Sequence, residues 1–467
     1  MTVVLICNVG SRDIQIEGKL TPPDQARQVG EALDALDVSE LKMKQIAFPI
    51  IQQCIDYVKR ENCKIDKLLL IASDQEQGPG AKPESDTIYY ARILKKLVAG
   101  QHGVGKVKLA HVRNNPADYD EMITFCNRQL PLSLADCVEP LKVYLSVSGG
   151  TPAMNFALFL VGIEKYGKNA EPLYVSRNSS RPIRLQAGLK IFRKTLQNSL
   201  ITCLESYDYE SAFQLLKDND DLFDSRNKQK IMQSLCTYAK ERATFNFKAA
   251  ENCLHSVIEL AEGRTKRSLI DLRDVLCSSD CVPLSEAFLV EEVIHNAETK
   301  FHKGQYLDFL SRLFRFQEGC LRFLAVSLNV KFDRKDLKYL DKNWVESSPE
   351  LMAEFDKKRL SYDRVVSRPV LKLVVEYLLA KKGSTEFEGV MKSLHQFEKL
   401  TELRNKTIVA HDYVGVDREL LETSFEDNPN NIIPLMRQTF QLIAGKEPRS
   451  NCFDEINKVC KELLKND

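Results

Sequence analysis

Near the end of the chain, one short stretch carries an arginine, an amide and a histidine that together suffice for phosphodiester chemistry. Arg404 and Asn405 precede His411, and a helix would bring Arg404 and His411 to one side, about 10 Å apart along its axis. An imidazole exchanges a proton near neutral pH, and a guanidinium holds a phosphate and stabilises charge in its transition state. These groups would cleave RNA without a metal ion, because the 2′-hydroxyl of the substrate is the nucleophile. The spacing equally fits an Arg404 that pairs with a carboxylate and a His411 that ends a helix.

Three polar loops in the N-terminal region form a second group of candidates. They follow the predicted strands Val3–Cys7, Leu68–Ala72 and Val143–Val147, and the last of them opens a predicted helix. In an open parallel sheet, ligands bind beyond the carboxyl ends of the strands. The candidate ligand-binding residues are therefore Gly10, Ser11, Arg12, Ser73, Asp74, Gln75, Ser148, Gly149, Gly150, Thr151, Pro152, Met154 and Asn155.

The last of these loops, Ser148–Asn155, is suited to a phosphate. Gly149 and Gly150 allow the backbone to approach a ligand closely. Thr151 is expected to cap the following helix and Pro152 to occupy its first position. The start of that helix then offers free N–H groups and a positive dipole end to an anion. The same residue types also occur in strand-to-helix turns that bind nothing.

The elements that would position these loops alternate between strands and helices over residues 1–185. Short apolar runs rich in Val, Ile and Leu predict strands buried on both faces, and the amphipathic stretches between them predict helices. This alternation predicts an α/β domain with a mostly parallel sheet. Besides the three strands named above, Val107–Val112 is predicted as a strand, and Ile46–Val58, Thr87–Val98 and Tyr119–Leu130 as helices. An edge hairpin would join Leu173–Val175 to Ile183–Leu185 through the turn Asn178–Ser180.

The remainder of the chain predicts an all-α structure. Helical spacing of apolar residues recurs from residue 186 onwards, and Tyr306–Leu324 traces one face of a long helix. We expect three regions: an α/β domain over 1–185, a helical linker domain over 186–300 and an all-α domain over 301–467.

Composition narrows the classes of function. The 467 residues carry a net charge of +1, which excludes a surface coated with nucleic acid and favours a local anion site. The 13 Cys suit buried thiols in a reducing cytosol, and Cys277 and Cys281 lack the second pair that a zinc site needs, so no metal is expected. With no signal peptide and no membrane span, we expect a cytoplasmic protein.

Both ends of the chain resemble one known architecture. The loop Gly10–Asp13, the helix start Asp86–Ile88 and the loop Ser148–Asn155 resemble those of a CARF domain, a Rossmann-like sensor of cyclic oligoadenylate. Arg404-Asn405 and His411, with six residues between Arg404 and His411, resemble the signature of a HEPN ribonuclease domain. In order and length, the chain resembles the CARF–HEPN ribonucleases of type III CRISPR systems.

The resemblance implies a homodimer that binds one cyclic oligoadenylate and, when activated, cleaves single-stranded RNA without a metal ion, in antiviral defence. His411 would be the acid/base group, Arg404 the phosphate stabiliser and Asn405 an assisting amide, contributed by both chains. The tetra-adenylate is favoured over the hexa-adenylate because it is common in the family. A slow cleavage of the activator by the CARF domain is also open. No membrane and no double-stranded DNA are expected as partners.

Two other functions remain open from the sequence. The chain could be a CARF-like sensing and interaction module without nuclease activity. This hypothesis predicts that changing His411 leaves its function intact. Alternatively, the chain could be a HEPN toxin that needs no activator. This hypothesis predicts RNA cleavage without a ring and no effect of changes at Thr151 or Asn155 on that cleavage.

Overall fold

The structure is a computed structural model, and it describes the whole chain except residues 62–63, 76–80, 100–102, 177–180, 220–222, 224, 278–284, 334–335, 384–386, 409–412, 426–427 and 466–467. The chain divides into two compact units, Met1–Leu196 and Gln197–Asp467. The finer division at residues 185 and 300 stays a prediction. None of the described helices is long and apolar enough to cross a bilayer.

The first unit is a six-stranded sheet covered by helices, as the sequence predicts. The strands of this sheet are β1 (Thr2–Asn8), β4 (Ile65–Ser73), β5 (Val104–Val112), β6 (Leu141–Ser146), β7 (Ala170–Tyr174) and β8 (Ile183–Arg184). Two further strands, β2 (Gln15–Ile16) and β3 (Lys19–Leu20), pair only with each other. The helices of this unit are α1 (Ala26–Asp34), α2 (Val38–Met43), α3 (Pro49–Arg60), α4 (Ile88–Val98), α5 (Tyr119–Leu134) and α6 (Pro152–Tyr166), and α7 (Ala187–Glu205) leads into the second unit.

The strand order is β5-β4-β1-β6-β7-β8, and only β8 is antiparallel to its neighbour. The predicted edge hairpin is therefore present, although its turn at Asn178–Ser180 lies outside the described residues. The strands are apolar on both faces because two cores enclose the sheet. Val3, Leu5 and Cys7 of β1 pack into one core, while Val4 and Ile6 pack into the other.

Some local details differ from the sequence-based expectation. The helix expected from Ile46 begins at Pro49, because the residue before a proline is driven out of the helical region. The hairpin of β2 and β3 was not expected, since two-residue strands leave no periodic pattern. Helix α2 is also additional, and it begins with a capping box formed by Asp37 and Glu40.

The second unit is all-α. Its helices are α8 (Tyr209–Asp218), α9 (Arg226–Ala243), α10 (Phe247–His255), α11 (Gly263–Cys277), α12 (Glu286–His302), α13 (Tyr306–Ser327), α14 (Lys342–Glu346), α15 (Pro349–Lys358), α16 (Arg368–Lys382), α17 (Glu388–Gln396), α18 (Glu398–Asn405), α19 (Arg418–Ser424), α20 (Ile432–Ala444) and α21 (Cys452–Lys465). Five short 3₁₀ turns complete the described elements of the chain, at Pro23–Gln25, Pro83–Ser85, Gly167–Asn169, Ile258–Leu260 and Pro429–Asn431.

The long helix predicted over Tyr306–Leu324 is confirmed as α13 and lies at the centre of a large apolar core. Buried residues of α12, α16, α17, α18 and α20 join it in that core. The last helix, α21, packs elsewhere: the Tyr209 ring lies 6.2 Å from that of Phe453, and the Tyr209 hydroxyl donates to Asn457 at 3.0 Å. The core around α13 therefore positions Arg404 at the end of α18.

Candidate functional site

The loops that follow β1, β4, β5 and β6 meet around one cavity of about 360 Å³. In the sheet, β4 lies on one side of β1 and β6 lies on the other. The strand order therefore reverses between β1 and β6, and the loops that follow these two strands flank that point. The cavity is lined by Val9, Gly10, Ser11, Ser73, Gln75, Lys82, Ser85, Thr87, Asn115, Pro116, Ala117, Gly150, Thr151 and Met154.

Seven of the thirteen predicted ligand-binding residues line this cavity: Gly10, Ser11, Ser73, Gln75, Gly150, Thr151 and Met154. The other six do not line it. Arg12 and Pro152 are exposed, and Gly149 is buried beneath the loop. The side chains of Asp74, Ser148 and Asn155 are engaged with protein groups.

Gly149 is required for the close approach of two loops. A Cβ atom at this position would overlap the carbonyl oxygen of Asn8 and Oδ2 of Asp13. A Cβ on Gly10 would likewise lie 2.6 Å from the backbone nitrogen of Gly150. The loops after β1 and β6 therefore pack backbone against backbone, which only glycine permits.

The start of α6 is formed as the sequence predicts. Thr151 is the N-cap, its Oγ1 accepts a hydrogen bond from the N–H of Met154 at 3.2 Å, and Pro152 occupies the first turn. The Thr151 hydroxyl also donates to the carbonyl oxygen of Pro116, which fastens the loop after β5 to the same helix start. Pro152 has no N–H, and the N–H groups of Met154 and Asn155 are bonded to Thr151, so the start of α6 favours an anion chiefly through its positive dipole end.

The loop after β4 is fixed by a buried carboxylate. Oδ2 of Asp86 accepts from the backbone N–H of Gln75 at 2.8 Å, and Oδ1 accepts from the side-chain amide of Gln75 at 2.8 Å. The amide oxygen of Gln75 in turn accepts from the N–H of Lys82 at 3.2 Å. Gln75 is therefore committed to positioning Lys82, which contributes a positive charge to the cavity lining.

Burial perturbs one carboxyl group beneath the cavity. Asp13 is 2% exposed, and burial raises its pKa to about 7, although the N–H of Gly10 donates to Oδ2 at 2.7 Å and opposes that rise. The Gly10–Asp13 turn is thus held by a group that changes charge near neutral pH.

The lining residues that were not predicted as ligand-binding are Val9, Lys82, Ser85, Thr87 and the segment Asn115–Ala117. The last of these could have been found, because Val107–Val112 is predicted as a parallel strand and its carboxyl end points to the same edge. Lys82 could not, since it lies before α4 rather than directly after a strand.

The candidate catalytic residues lie at the end of α18, and here the expectation of one continuous helix from Arg404 to His411 is wrong. Helix α18 ends at Asn405, and the N–H of Val414 donates to the carbonyl oxygen of Lys406 at 3.3 Å. The β-branched run Thr407-Ile408-Val409 explains the ending, because such side chains lose rotamer freedom in a helix. The helical distance between Arg404 and His411 therefore does not apply.

Arg404 is half-buried and its guanidinium carbon lies 4.5 Å from the centroid of the Phe314 ring. One of its terminal nitrogens donates to Oδ1 of the adjacent Asn405 at 3.1 Å. Within the described residues, no carboxylate forms an ion pair with Arg404, so the alternative of an ordinary ion pair gains no support there. His411 lies outside the described residues.

One buried cluster elsewhere in this unit carries side chains of metal-ligand type. One ligand atom from each of Glu292, His295 and Cys452 lies within 4.8 Å of the other two. However, Arg242 already binds both carboxylate oxygens of Glu292, at 2.9 and 2.5 Å. Glu292 is therefore engaged in a buried ion pair between α9 and α12.

Comparisons with known proteins find a family similarity in the C-terminal region and a similarity of fold over the whole chain. Residues 281–461 match the family model of the Cas_Csm6 HEPN domain. No curated protein matches the sequence. The fold is similar to that of Enterococcus italicus Csm6 bound to cyclic hexa-2′-fluoro-hexa-dAMP, with a TM-score of 0.65, 13% identity and coverage of 100% of this chain and 99% of the other.

At 13% identity the structural match shows a similarity of fold alone, and this similarity extends over both units. The family match covers the C-terminal region. A HEPN domain of this kind indicates a ribonuclease of CRISPR defence. The resemblance drawn from the sequence is thereby confirmed: residues 281–461 are similar to the Csm6 HEPN domain, and the fold of the whole chain is similar to that of a Csm6 protein.

Proposed function

We propose that this protein is a single-stranded RNA endoribonuclease that is activated by a cyclic oligoadenylate and needs no metal ion. The observation that carries the proposal is the pairing, in one chain, of a cavity suited to phosphate with an arginine at the expected catalytic position. The cavity lies at the carboxyl edge of the sheet, and Arg404 lies in the region that matches the HEPN model.

The cavity fits an anionic ligand with exposed hydroxyl and base groups. The positive dipole end of α6 and the side chain of Lys82 would attract phosphates, while Ser11, Ser73 and Asn115 offer neutral hydrogen-bonding groups. The related Enterococcus italicus protein is bound to a six-unit ring, whereas the sequence-based preference was for the tetra-adenylate. Both rings therefore belong in the binding experiment.

Cleavage would follow the intramolecular route available to RNA. The 2′-oxygen attacks the adjacent phosphorus and passes its proton to a copy of His411, and the bond from phosphorus to the 5′-oxygen breaks. The leaving 5′-oxygen takes up a proton from a second copy of His411. Arg404 would stabilise the added charge on the phosphate oxygens, with Asn405 holding its guanidinium. The products carry a 2′,3′-cyclic phosphate and a 5′-hydroxyl.

A homodimer would supply the second copy of Arg404 and His411. It would also place two cavities side by side, so that one ring spans both chains. The helical residues 186–300 would couple the two sites, because a ligand shifts an enzyme only by its preference for one state. We expect the protein to act in the cytoplasm.

A slow cleavage of the ring within the CARF domain would limit the response. The hydroxyl-bearing residues Ser11 and Thr151 line the cavity and would position the 2′-hydroxyls of the ring, whereas Arg12 is exposed and Ser148 binds the N–H of Val175 at 2.6 Å. Incubation of the protein with each ring, followed by chromatography of the products, tests this activity.

Calorimetric titration with cyclic tetra-adenylate and cyclic hexa-adenylate tests the sensor, and the expected stoichiometry is one ring per two chains. Analysis of RNA fragments formed in excess EDTA tests the chemistry, and 2′,3′-cyclic phosphate ends are expected. Tight ring binding with no RNA cleavage would instead support a sensing module without nuclease activity. Cleavage without either ring would support a toxin that needs no activator.

A further inference from the structure

The ring of Phe314 lies near the guanidinium groups of two arginines of the all-α unit. The guanidinium carbon of Arg404, on α18, lies 4.5 Å from the ring centroid, and that of Arg368, on α16, lies 6.0 Å away. Both are within the range in which a cation is attracted to the face of an aromatic ring.

A buried hydrogen bond fixes the register between α13, which carries Phe314, and α18, which carries Arg404. The hydroxyl of Thr401 donates to Oε1 of Gln317 at 2.6 Å, and these side chains are 5% and 0% exposed. Gln317 follows Phe314 by three positions on α13, and Thr401 precedes Arg404 by three on α18. Residues three apart on a helix share a face, so this bond places the Phe314 ring against Arg404.

The two arginines differ in how their charge is compensated. Arg368 forms an ion pair with Glu398 at 2.6 Å, and Lys372 also reaches Glu398 at 3.0 Å. Burial would raise the pKa of Glu398, but the hydrogen bonds from Arg368 and Lys372 outweigh it and lower the pKa. Among the described residues, Arg404 instead bonds only a neutral amide, that of Asn405. Of the two, Arg368 has a carboxylate partner, and Arg404 has none in the described part of the chain.

Phe314 is also unusual among the aromatic residues of its helix. The core around α13 includes Phe309, Phe316 and Phe323, while Phe314 is half-buried and, of the described residues, does not join that apolar cluster. Its ring is instead contacted by two guanidinium groups. An aromatic ring is a suitable support for a catalytic guanidinium, because stacking uses none of the five N–H donors of the arginine.

We propose that Phe314 is a positioning residue for RNA cleavage, which holds the guanidinium of Arg404 while leaving its charge and most of its donors for the scissile phosphate. This inference rests on the proposed function. It adds a residue on a separate helix, about 90 positions before the arginine that it serves. Arg368, whose charge is compensated by Glu398, also lies near this ring.

The test compares Phe314→Met, Phe314→Tyr and the matched control Phe323→Met in the full-length protein. Methionine keeps much of the volume and apolar character but removes the ring face, and tyrosine restores the face. Phe323 is half-buried on the same helix, nine positions after Phe314. Initial rates are measured over a range of RNA concentrations at saturating ring in excess EDTA, together with the thermal midpoint.

We expect Phe314→Met to lower kcat by about tenfold or more with KM within about twofold, because misplacing a group that acts in the transition state affects kcat. Phe314→Tyr should restore most of kcat, and Phe323→Met should keep the wild-type kcat. A wild-type kcat in Phe314→Met would overturn the inference alone. Equal losses of kcat and thermal midpoint in Phe314→Met and Phe323→Met would also overturn it. Absence of cleavage by the wild type would overturn the proposed function and this inference together.

Discussion

The side-chain amide of Asn8 donates a hydrogen bond to Oδ1 of Asn155 at 2.9 Å, across 147 positions of the chain. This bond ties the end of β1 to the first turn of α6. It therefore joins the two loops that flank the reversal of strand order, and any ligand in the cavity meets both at once.

Replacing Asn155 with Ala is expected to weaken this part of the cavity. Asn8 is fully buried, so the change leaves its amide without that acceptor, at a cost of about 1–3 kcal/mol in the free energy of unfolding. Urea denaturation measures this loss, and calorimetry should show weaker ring binding. The control is Asn198→Ala, on an exposed part of α7. Unchanged stability and ring affinity in Asn155→Ala would show that the two loops are not linked through this bond.

Gly149→Ala is expected to prevent the loops after β1 and β6 from closing. The new Cβ would overlap backbone at Asn8 and the buried carboxyl of Asp13, neither of which has room to move. We expect a loss of at least about 2 kcal/mol in the free energy of unfolding and no measurable ring binding. Gly389→Ala on α17 is the control, because its Cβ would meet only Leu442, at an ordinary 3.5 Å. Equal behaviour of the two variants would refute the close packing.

Thr151→Val is expected to impair ring binding, while Thr151→Ser preserves it. Valine has the shape of threonine but lacks the hydroxyl that caps α6 and binds the carbonyl of Pro116. Loss of such a cap costs about 1 kcal/mol, and it frees the loop after β5. The dissociation constant of the ring should therefore rise several-fold in Thr151→Val, as measured by calorimetry. If serine were as harmful as valine, the hydroxyl would not be the operative group.

Asp13 is expected to make the α/β domain less stable as pH rises towards neutrality. Burial raises the folded-state pKa to about 7, so between the unfolded value of 3.8 and 7 the folded state binds the extra proton. Stability from this group is therefore lost with increasing pH until the folded-state carboxyl ionises. Between pH 6 and pH 8 the wild type should lose roughly 1 kcal/mol more than Asp13→Asn. Parallel urea-stability profiles of the two proteins over that interval would contradict the assignment.

Much of the fold could be read from the sequence because its signals are strong and local. The buried runs Val3–Cys7 and Val143–Val147 are too apolar for any position except the middle of a covered sheet. The cap at Thr151 and the start at Pro152 follow from the side-chain chemistry of single residues. These features depend little on distant parts of the chain.

The rest of the site could not be predicted, because it depends on contacts between distant segments. No local pattern indicates that Gln75 positions Lys82 through Asp86, or that Phe314 lies under Arg404. The helix expected to extend from Arg404 to His411 was a wrong reading of periodicity. The β-branched residues after Lys406 disfavour a helix there, and the regular spacing of Arg404 and His411 carries no information about them.

The most direct test is the initial rate of cleavage of a fluorogenic single-stranded RNA in excess EDTA, with no ring, cyclic tetra-adenylate or cyclic hexa-adenylate. We expect the wild type to cleave only with a ring, and Arg404→Ala and His411→Ala to lose about 100-fold or more. Arg315→Ala, at a 69% exposed side chain on α13, should cleave like the wild type. Wild-type rates in Arg404→Ala and His411→Ala, or equal rates with and without a ring, would contradict a ring-activated nuclease at this site.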